Sequence, residues 1–160
     1  MATIKLETLI EASPEVCFDL SRNIELHKLS TAKTNEEAVE GVTTGLIGWG
    51  EYVTWEATHF YVRQRFTSKI TAFDASHYFR DEMIKGAFKL FIHDHYFEKT
   101  GGKTLMTDVL YFEAPFGIIG RIVASLILKP YLIKFLKERN LLIKITAEQK
   151  NTIKNEQPHP

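Results

Sequence analysis

The sequence predicts an α+β protein: a strongly curved antiparallel sheet of seven strands wrapped around one long C-terminal helix, with short helices after the first strand. Three observations carry this expectation. Residues 51–113 hold successive runs of period-two alternation, the pattern of strands with one buried face. Residues 116–149 read as one long helix, and the helix start Ser13-Pro14-Glu15 interrupts the strand pattern early. A curved sheet and an amphipathic helix bury each other's apolar faces and leave a hollow between them.

Each element has its own signal. Ile4, Leu6, Thr8 and Ile10 alternate with Thr3, Lys5, Glu7 and Leu9, which predicts a first strand within residues 2–12. Ser13 can cap a helix, Pro14 suits its first position because no N–H is needed there, and Glu15 complements the positive helix end. Val16, Phe18 or Leu20, Ile24 and Leu26 supply one short helix, or two joined near Asn23, ending by about Ser30. "STAKTNEEAVEGVTTGLIGWG" is polar, then glycine-rich, and leaves room for a short strand near 36–41 and a flexible approach to the next. "EYVTWEATHF" and "YVRQRFTSKITAF" then alternate cleanly, followed by "HYFRDEMIKG", "FKLFIHDHYFEKT" and "KTLMTDVLYFEAP". Gly101-Gly102 predicts a tight hairpin between the last two, since both accept positive φ. In the terminal helix Pro130 is expected to produce a kink or a division. Residues 1–149 form one domain in this reading, and 150–160 a mobile tail.

Composition narrows the classes of function. A chain of 160 residues with 44% apolar content suits one domain with a sizeable core. Twenty acidic residues balance twenty basic ones, so no nucleic-acid partner is expected. The charge is uneven, however: residues 116–150 hold Arg121, Lys129, Lys134, Lys137, Arg139, Lys144 and Lys150 against Glu138 and Glu148. That basic helix leaves a transient membrane-surface contact open, and its apolar area leaves monomer and homodimer open. Cys17, the lone cysteine, reads as a small buried residue in a reducing compartment. The first residues lack the basic-then-apolar pattern of a signal peptide, and charges interrupt the most apolar stretch, so a cytoplasmic protein is expected.

The chemistry concentrates in "FIHDHYF", residues 91–97. On a strand, Phe91, His93, His95 and Phe97 share one face and Ile92, Asp94 and Tyr96 the other; polarity alone leaves open which points inward. Asp81 falls between Phe79 and Met83, and Asp108 between Met106 and Leu110. Buried carboxylates need partners, so Asp81 or Asp108 is expected to meet His93 or His95 across the sheet. Four readings compete: a structural polar network, polar contacts in a ligand cavity, an acid–base pair, and a metal site built on a weak His-x-His motif. Trp55, Phe66 and Phe112 serve as core or as cavity walls, and Glu51 and His59 share Trp55's face. The glycine-rich approach ends in no P-loop lysine and sits in no strand–turn–helix unit, which disfavours nucleotide binding.

The order of elements, "GLIGWGEYVTWEATHF", the pair "DEMIKGAF" and "HDHYF", and "TLMTDVLYFEAPFGIIG" leading into the basic helix resemble the START-like, or SRPBCC, helix-grip superfamily, in its polyketide cyclase/dehydrase and lipid-transport-like branch. The resemblance spans about residues 2–147. It implies a helix-grip fold that holds an apolar or amphipathic small molecule or lipid between sheet and helix, and it turns the His93/His95 face toward the cavity. The expected cavity residues are Trp55, Phe66, Phe79, Asp81, Met83, Phe91, His93, His95, Asp108, Leu110 and Phe112. No catalytic residue, metal or cofactor is assigned. The alternatives are a cyclase, dehydratase or hydrolase using a histidine–carboxylate pair in the same cavity, and a lipid-interacting regulatory module.

Overall fold

The computed structural model describes residues 1–156. The chain runs β1 (Ala2–Ile10), α1 (Pro14–Ser21), α2 (Ile24–Ser30), a 3-10 turn (Ala32–Thr34), β2 (Glu37–Gly41), β3 (Tyr52–His59), β4 (Val62–Asp74), β5 (Tyr78–Lys85), β6 (Leu90–Thr100), β7 (Lys103–Glu113), α3 (Gly117–Val123), a π-helical turn (Ala124–Leu128) and α4 (Lys129–Glu156). The seven strands form one sheet in the order β1-β7-β6-β5-β4-β3-β2, every pair antiparallel. Short connections suffice for most of it, because consecutive strands are neighbours. Only β1 crosses over, to pair with β7.

Local chemistry accounts for the boundaries. Pro14 opens α1 with Glu15 in its first turn, and the Asn23 side chain caps α2 by accepting from the Leu26 N–H at 2.7 Å. Of the two arrangements expected, two helices meeting at Asn23 is the one formed. Gly101 and Gly102, at φ 53° and 83°, make the two-residue turn between β6 and β7. The core is built on the concave face. Phe18 of α1 meets Phe73, Phe79 and Phe97 edge-on at centroid distances of 5.1, 5.5 and 5.4 Å, each a favourable aromatic arrangement. A second cluster packs Ile4, Leu110 and Phe112 of the sheet under Ala124 and Leu136 of the terminal helix. Cys17 is fully buried, and burial pushes its thiol pKa up to about 11.

The terminal helix is divided beside Pro130, as expected. Pro130 lacks the N–H for a helical bond and its ring crowds the preceding turn. The chain answers with the π-helical turn Ala124–Leu128 just before it, and helix resumes at Lys129. Its far end differs from expectation: α4 does not stop near 149 but continues to Glu156, so 150–156 are helical. The remainder of the expected tail, 157–160, lies outside the described residues. Among the described residues no helix is long and apolar enough to cross a membrane.

Gly120 lets α3 fold back on the end of β7. A Cβ there would stand 1.7 Å from the Pro115 carbonyl oxygen, a backbone atom that cannot swing aside. Gly120→Ala is therefore expected to lower stability by about 1–3 kcal/mol, the usual cost of overpacking, measured by urea unfolding. An unchanged midpoint would show that α3 is free to lift off the strand end.

Candidate functional site

The register of three strands assembles the site. Directly paired residues of antiparallel strands present their side chains on the same face. Asp81 of β5 pairs with His93 of β6, which pairs with Leu110 of β7. In the next row Phe79 pairs with His95, which pairs with Asp108. The His93/His95 face is the concave one, and both imidazoles are buried, at 6% and 2% exposure.

Their nitrogens divide between two carboxylates. His95 Nε2 is hydrogen-bonded to Asp81 Oδ2 at 2.9 Å, and His95 Nδ1 stands 2.8 Å from Asp108 Oδ1. His93 Nε2 lies 3.0 Å from that same Asp108 oxygen, while His93 Nδ1 is 3.9 Å from Asp81 Oδ2. The two approaches to Asp108 are close in distance but off the bonding direction, so neither nitrogen has an aligned hydrogen bond. The rings lie 3.8 Å apart, and Phe79 stacks on His95 at 4.2 Å.

Asp108 is wholly buried and draws the terminal helix onto the sheet. Asn140 Nδ2 donates to its Oδ2 at 2.7 Å, and Arg139 Nη1 donates to Oδ1 at 3.4 Å. Arg139 also donates through Nη2 to the carbonyl of Ser21, a free acceptor at the end of α1. Neither Arg139 nor Asn140 is among the residues expected here; the basic character of the helix suggests a solvated edge for Arg139. A signal existed: both fall inside the buried stripe Leu136, Ile143, Ala147 at helical spacing.

Burial works against every charge in this cluster, and the partners decide the outcome. Burial raises the carboxyls, yet both imidazoles and Arg139 outweigh it, holding Asp108 well below the ordinary carboxylate range and Asp81 below it. In His93 burial prevails, aided by the neighbouring His95, and the pKa falls. In His95 burial is overcome by Asp108 and Asp81, and the pKa rises. His95 is hydrogen-bonded through Nε2 to Asp81, whereas His93 Nδ1 stands 3.9 Å from the same oxygen.

A cavity of about 190 Å³ opens beside this cluster, between the sheet, the helices α1 and α2, and α4. Of the residues named from the sequence, Trp55, Phe66, Phe79, Asp81, Phe91, His93, His95 and Leu110 line it. Three expected residues do not. Asp108 is sealed behind the histidines, Phe112 has no exposed surface beneath Leu136 and Ala124, and Met83 packs its sulfur beneath Gly86, where a Cβ would come within 2.6 Å. Glu51 turns away as well, accepting from the Gly48 N–H at 2.7 Å, whereas His59 lines the cavity and bonds Tyr131 Oη at 2.7 Å. Sequence reading also missed His27 and Glu36. They contribute a second polar patch to the wall, His27 lying on Trp55 at 4.2 Å and Glu36 Oε2 3.6 Å from His27 Nε2.

On the opposite face of β6, Asp94 is buried too. It accepts from Arg80 through both oxygens at 2.6 and 2.8 Å and from Tyr78 Oη at 2.6 Å. Both faces of this strand thus bury a carboxylate network, which explains why polarity alone gave no inward direction.

No protein-family model matches the chain, and no curated protein does. Solved structures do match. A protein of Thermus thermophilus superposes with a TM-score of 0.70 at 19% identity, covering 91% of this chain and 99% of its own. A START superfamily protein from Mycobacterium smegmatis gives 0.68 at 13% identity, over 92% of this chain and 97% of its own. A major latex-like protein from Panax ginseng gives 0.67 at 16% identity, over 91% and 97%. The fold is the START-like helix-grip fold, as the sequence resemblance implied.

The Asp94 network sets a pH dependence. Burial raises this carboxyl, but the hydrogen bonds from Arg80 and Tyr78 outweigh it and depress the folded-state pKa. Its stabilisation is therefore fully present above the unfolded value of about 3.9 and is lost as pH falls through the lower folded value. Asp94→Asn is expected to cost about 2 kcal/mol at neutral pH, the scale of a charge-assisted bond. That deficit should shrink toward zero in acid, in urea titrations of both proteins across pH; a deficit constant with pH would deny the carboxylate this role.

Proposed function

We propose that the cavity binds one compact apolar or amphipathic molecule, with aromatic walls supplying contact area and the polar patches orienting a polar group. The observation that carries this is the cavity's make-up: Trp55, Phe66, Phe91 and Phe135 on its walls beside His93, His95 and Asp81. Apolar walls with a few convergent polar groups are the usual form of small-molecule sites. Size narrows the class. At about 190 Å³ the space exceeds the ~150 Å³ that holds a benzene ring but falls below the ~300–1,000 Å³ of larger ligand pockets. One or two rings fit; a long acyl chain would need aromatic side chains to move.

A surface feature supports a second part of this reading, contact with an anionic membrane. Phe116, Ile119 and Leu126 are 84%, 71% and 72% exposed, and Ile118, Ile122 and Ile127 are exposed with them. Contiguous apolar exposure of this kind marks an interaction surface. Arg121 and Lys129 belong to the same segment, and each basic residue contributes about 1 kcal/mol beside anionic lipid. At the tip of the β3–β4 turn, Phe60 and Tyr61 hold positive φ of 51° and 64° and are exposed. Phe60 packs on Tyr131 of α4, one turn beyond Ile127. Delivery to or from a lipid surface is the function that joins these features.

Two experiments separate the parts. Naphthol should bind the purified protein and change Trp55 fluorescence, and Ala57→Leu, which fills the cavity wall, should weaken binding about tenfold. Equal affinity in the filled variant would place binding outside the cavity. In co-sedimentation at low salt, wild-type protein should pellet with phosphatidylserine-rich vesicles, and Ile119→Glu with Leu126→Glu should stay in solution while still binding naphthol. Wild-type protein remaining in the supernatant would overturn the membrane contact alone.

A further inference from the structure

We propose that His93, His95 and Asp81 form a site for one first-row divalent cation of the zinc or iron(II) class. Ligand atoms of these three residues lie within 4.8 Å of one another. The nitrogens facing Asp81 Oδ2 are His95 Nε2 at 2.9 Å and His93 Nδ1 at 3.9 Å. Ligands at 2.0–2.2 Å around a tetrahedral ion stand roughly 3.4 Å apart, so small side-chain rotations complete the set. No hydrogen bond reaches His93 Nδ1 among the described residues, although the ring is 6% exposed.

The second observation is what stands behind the imidazoles. Metal-binding histidines characteristically donate their other N–H to a carboxylate, which selects the tautomer and aims the free lone pair at the ion. Here one carboxylate oxygen serves both rings: His93 Nε2 and His95 Nδ1 stand 3.0 and 2.8 Å from Asp108 Oδ1. Asp108 is itself fixed by Asn140 at 2.7 Å. Without an ion these two buried nitrogens have no aligned partner; the ring rotations that ligation requires also change their approach to Oδ1.

Charge agrees with geometry. With both imidazoles neutral, as ligation requires, Asp81 and Asp108 against Arg139 leave one net negative charge in a buried cluster, and a divalent cation reverses it. Asp81 is the most exposed of the three, at 20% for its side chain, and it lines the cavity. The ion therefore enters from the cavity, and three protein ligands leave a coordination position for water or an oxygen-bearing molecule there.

The test uses the full chain stripped with chelator and titrated with Co²⁺ and Zn²⁺. One equivalent of Co²⁺ should give the visible d–d bands of a four- or five-coordinate ion, and Zn²⁺ should raise Tm and shift the imidazole nitrogen resonances of His93 and His95. Asp81→Asn and His93→Gln should each weaken binding by about 100-fold or more, while His77→Gln, at an exposed turn, should bind as wild type. If His93→Gln does not fold, Asp81→Asn decides, since it keeps the shape of the side chain. The absence of d–d bands and of a Tm shift at millimolar metal, or undiminished binding in Asp81→Asn, would overturn the site. Naphthol binding to metal-free protein is read separately, so the two proposals fail independently.

Discussion

Asp108 stands near the middle of β7 with none of its surface exposed, and a carboxylate so placed must find partners or lose its charge. Its partners come from three parts of the fold: His93 and His95 on the adjacent strand, Asn140 and Arg139 on α4, and, through Arg139, the last carbonyl of α1. The group ties sheet, terminal helix and first helix at one point. Apolar packing alone would let the helix slide along the concave face, because hydrophobic contact is non-directional. Bonds with defined geometry hold its register.

The same constraint shapes the cavity beside it. The imidazoles present one edge to Asp108 and the other toward Asp81 at the cavity wall, so the buried polar network and the site share the same rings. Positioning is thereby obtained from the core itself. The opposite face of β6 repeats the solution with Asp94, Arg80 and Tyr78, and the strand is braced on both sides. By contrast, the segment after β7 is loosely provided for: Phe116 holds φ 71°, Gly120 presses on the Pro115 carbonyl, a π-helical turn precedes Pro130, and large apolar side chains face outward. Unusual backbone and exposed apolar surface in one segment mark a region shaped by something other than stability.

Much of this was legible beforehand because it is local. Alternation of period two identified the strands, Pro14 and Asn23 marked helix boundaries, and Gly101-Gly102 marked the hairpin. The pairing of His93 and His95 with Asp81 and Asp108 was readable because buried acids require partners. Arg139 and Asn140 were missed because a basic helix suggests a wet edge, although their spacing with Leu136 and Ile143 put them on the buried stripe. Met83 and Phe112 were misplaced for another reason. Which residues share a face follows from alternation, but depth along a face depends on which neighbours cover it.

By itself, the sequence determined the order of elements, which side chains of a strand share a face, and the residue types able to bond in the core. These follow from backbone geometry and from the cost of burying unpaired polar groups. Tertiary structure alone decided that Asp108 lies sealed behind the histidines rather than on the cavity wall, and that His27, Glu36 and His59 join that wall. It also decided that α4 reaches Glu156. Such outcomes depend on strand register and helix placement, where contacts between distant residues compete, and no local pattern records which contact prevails.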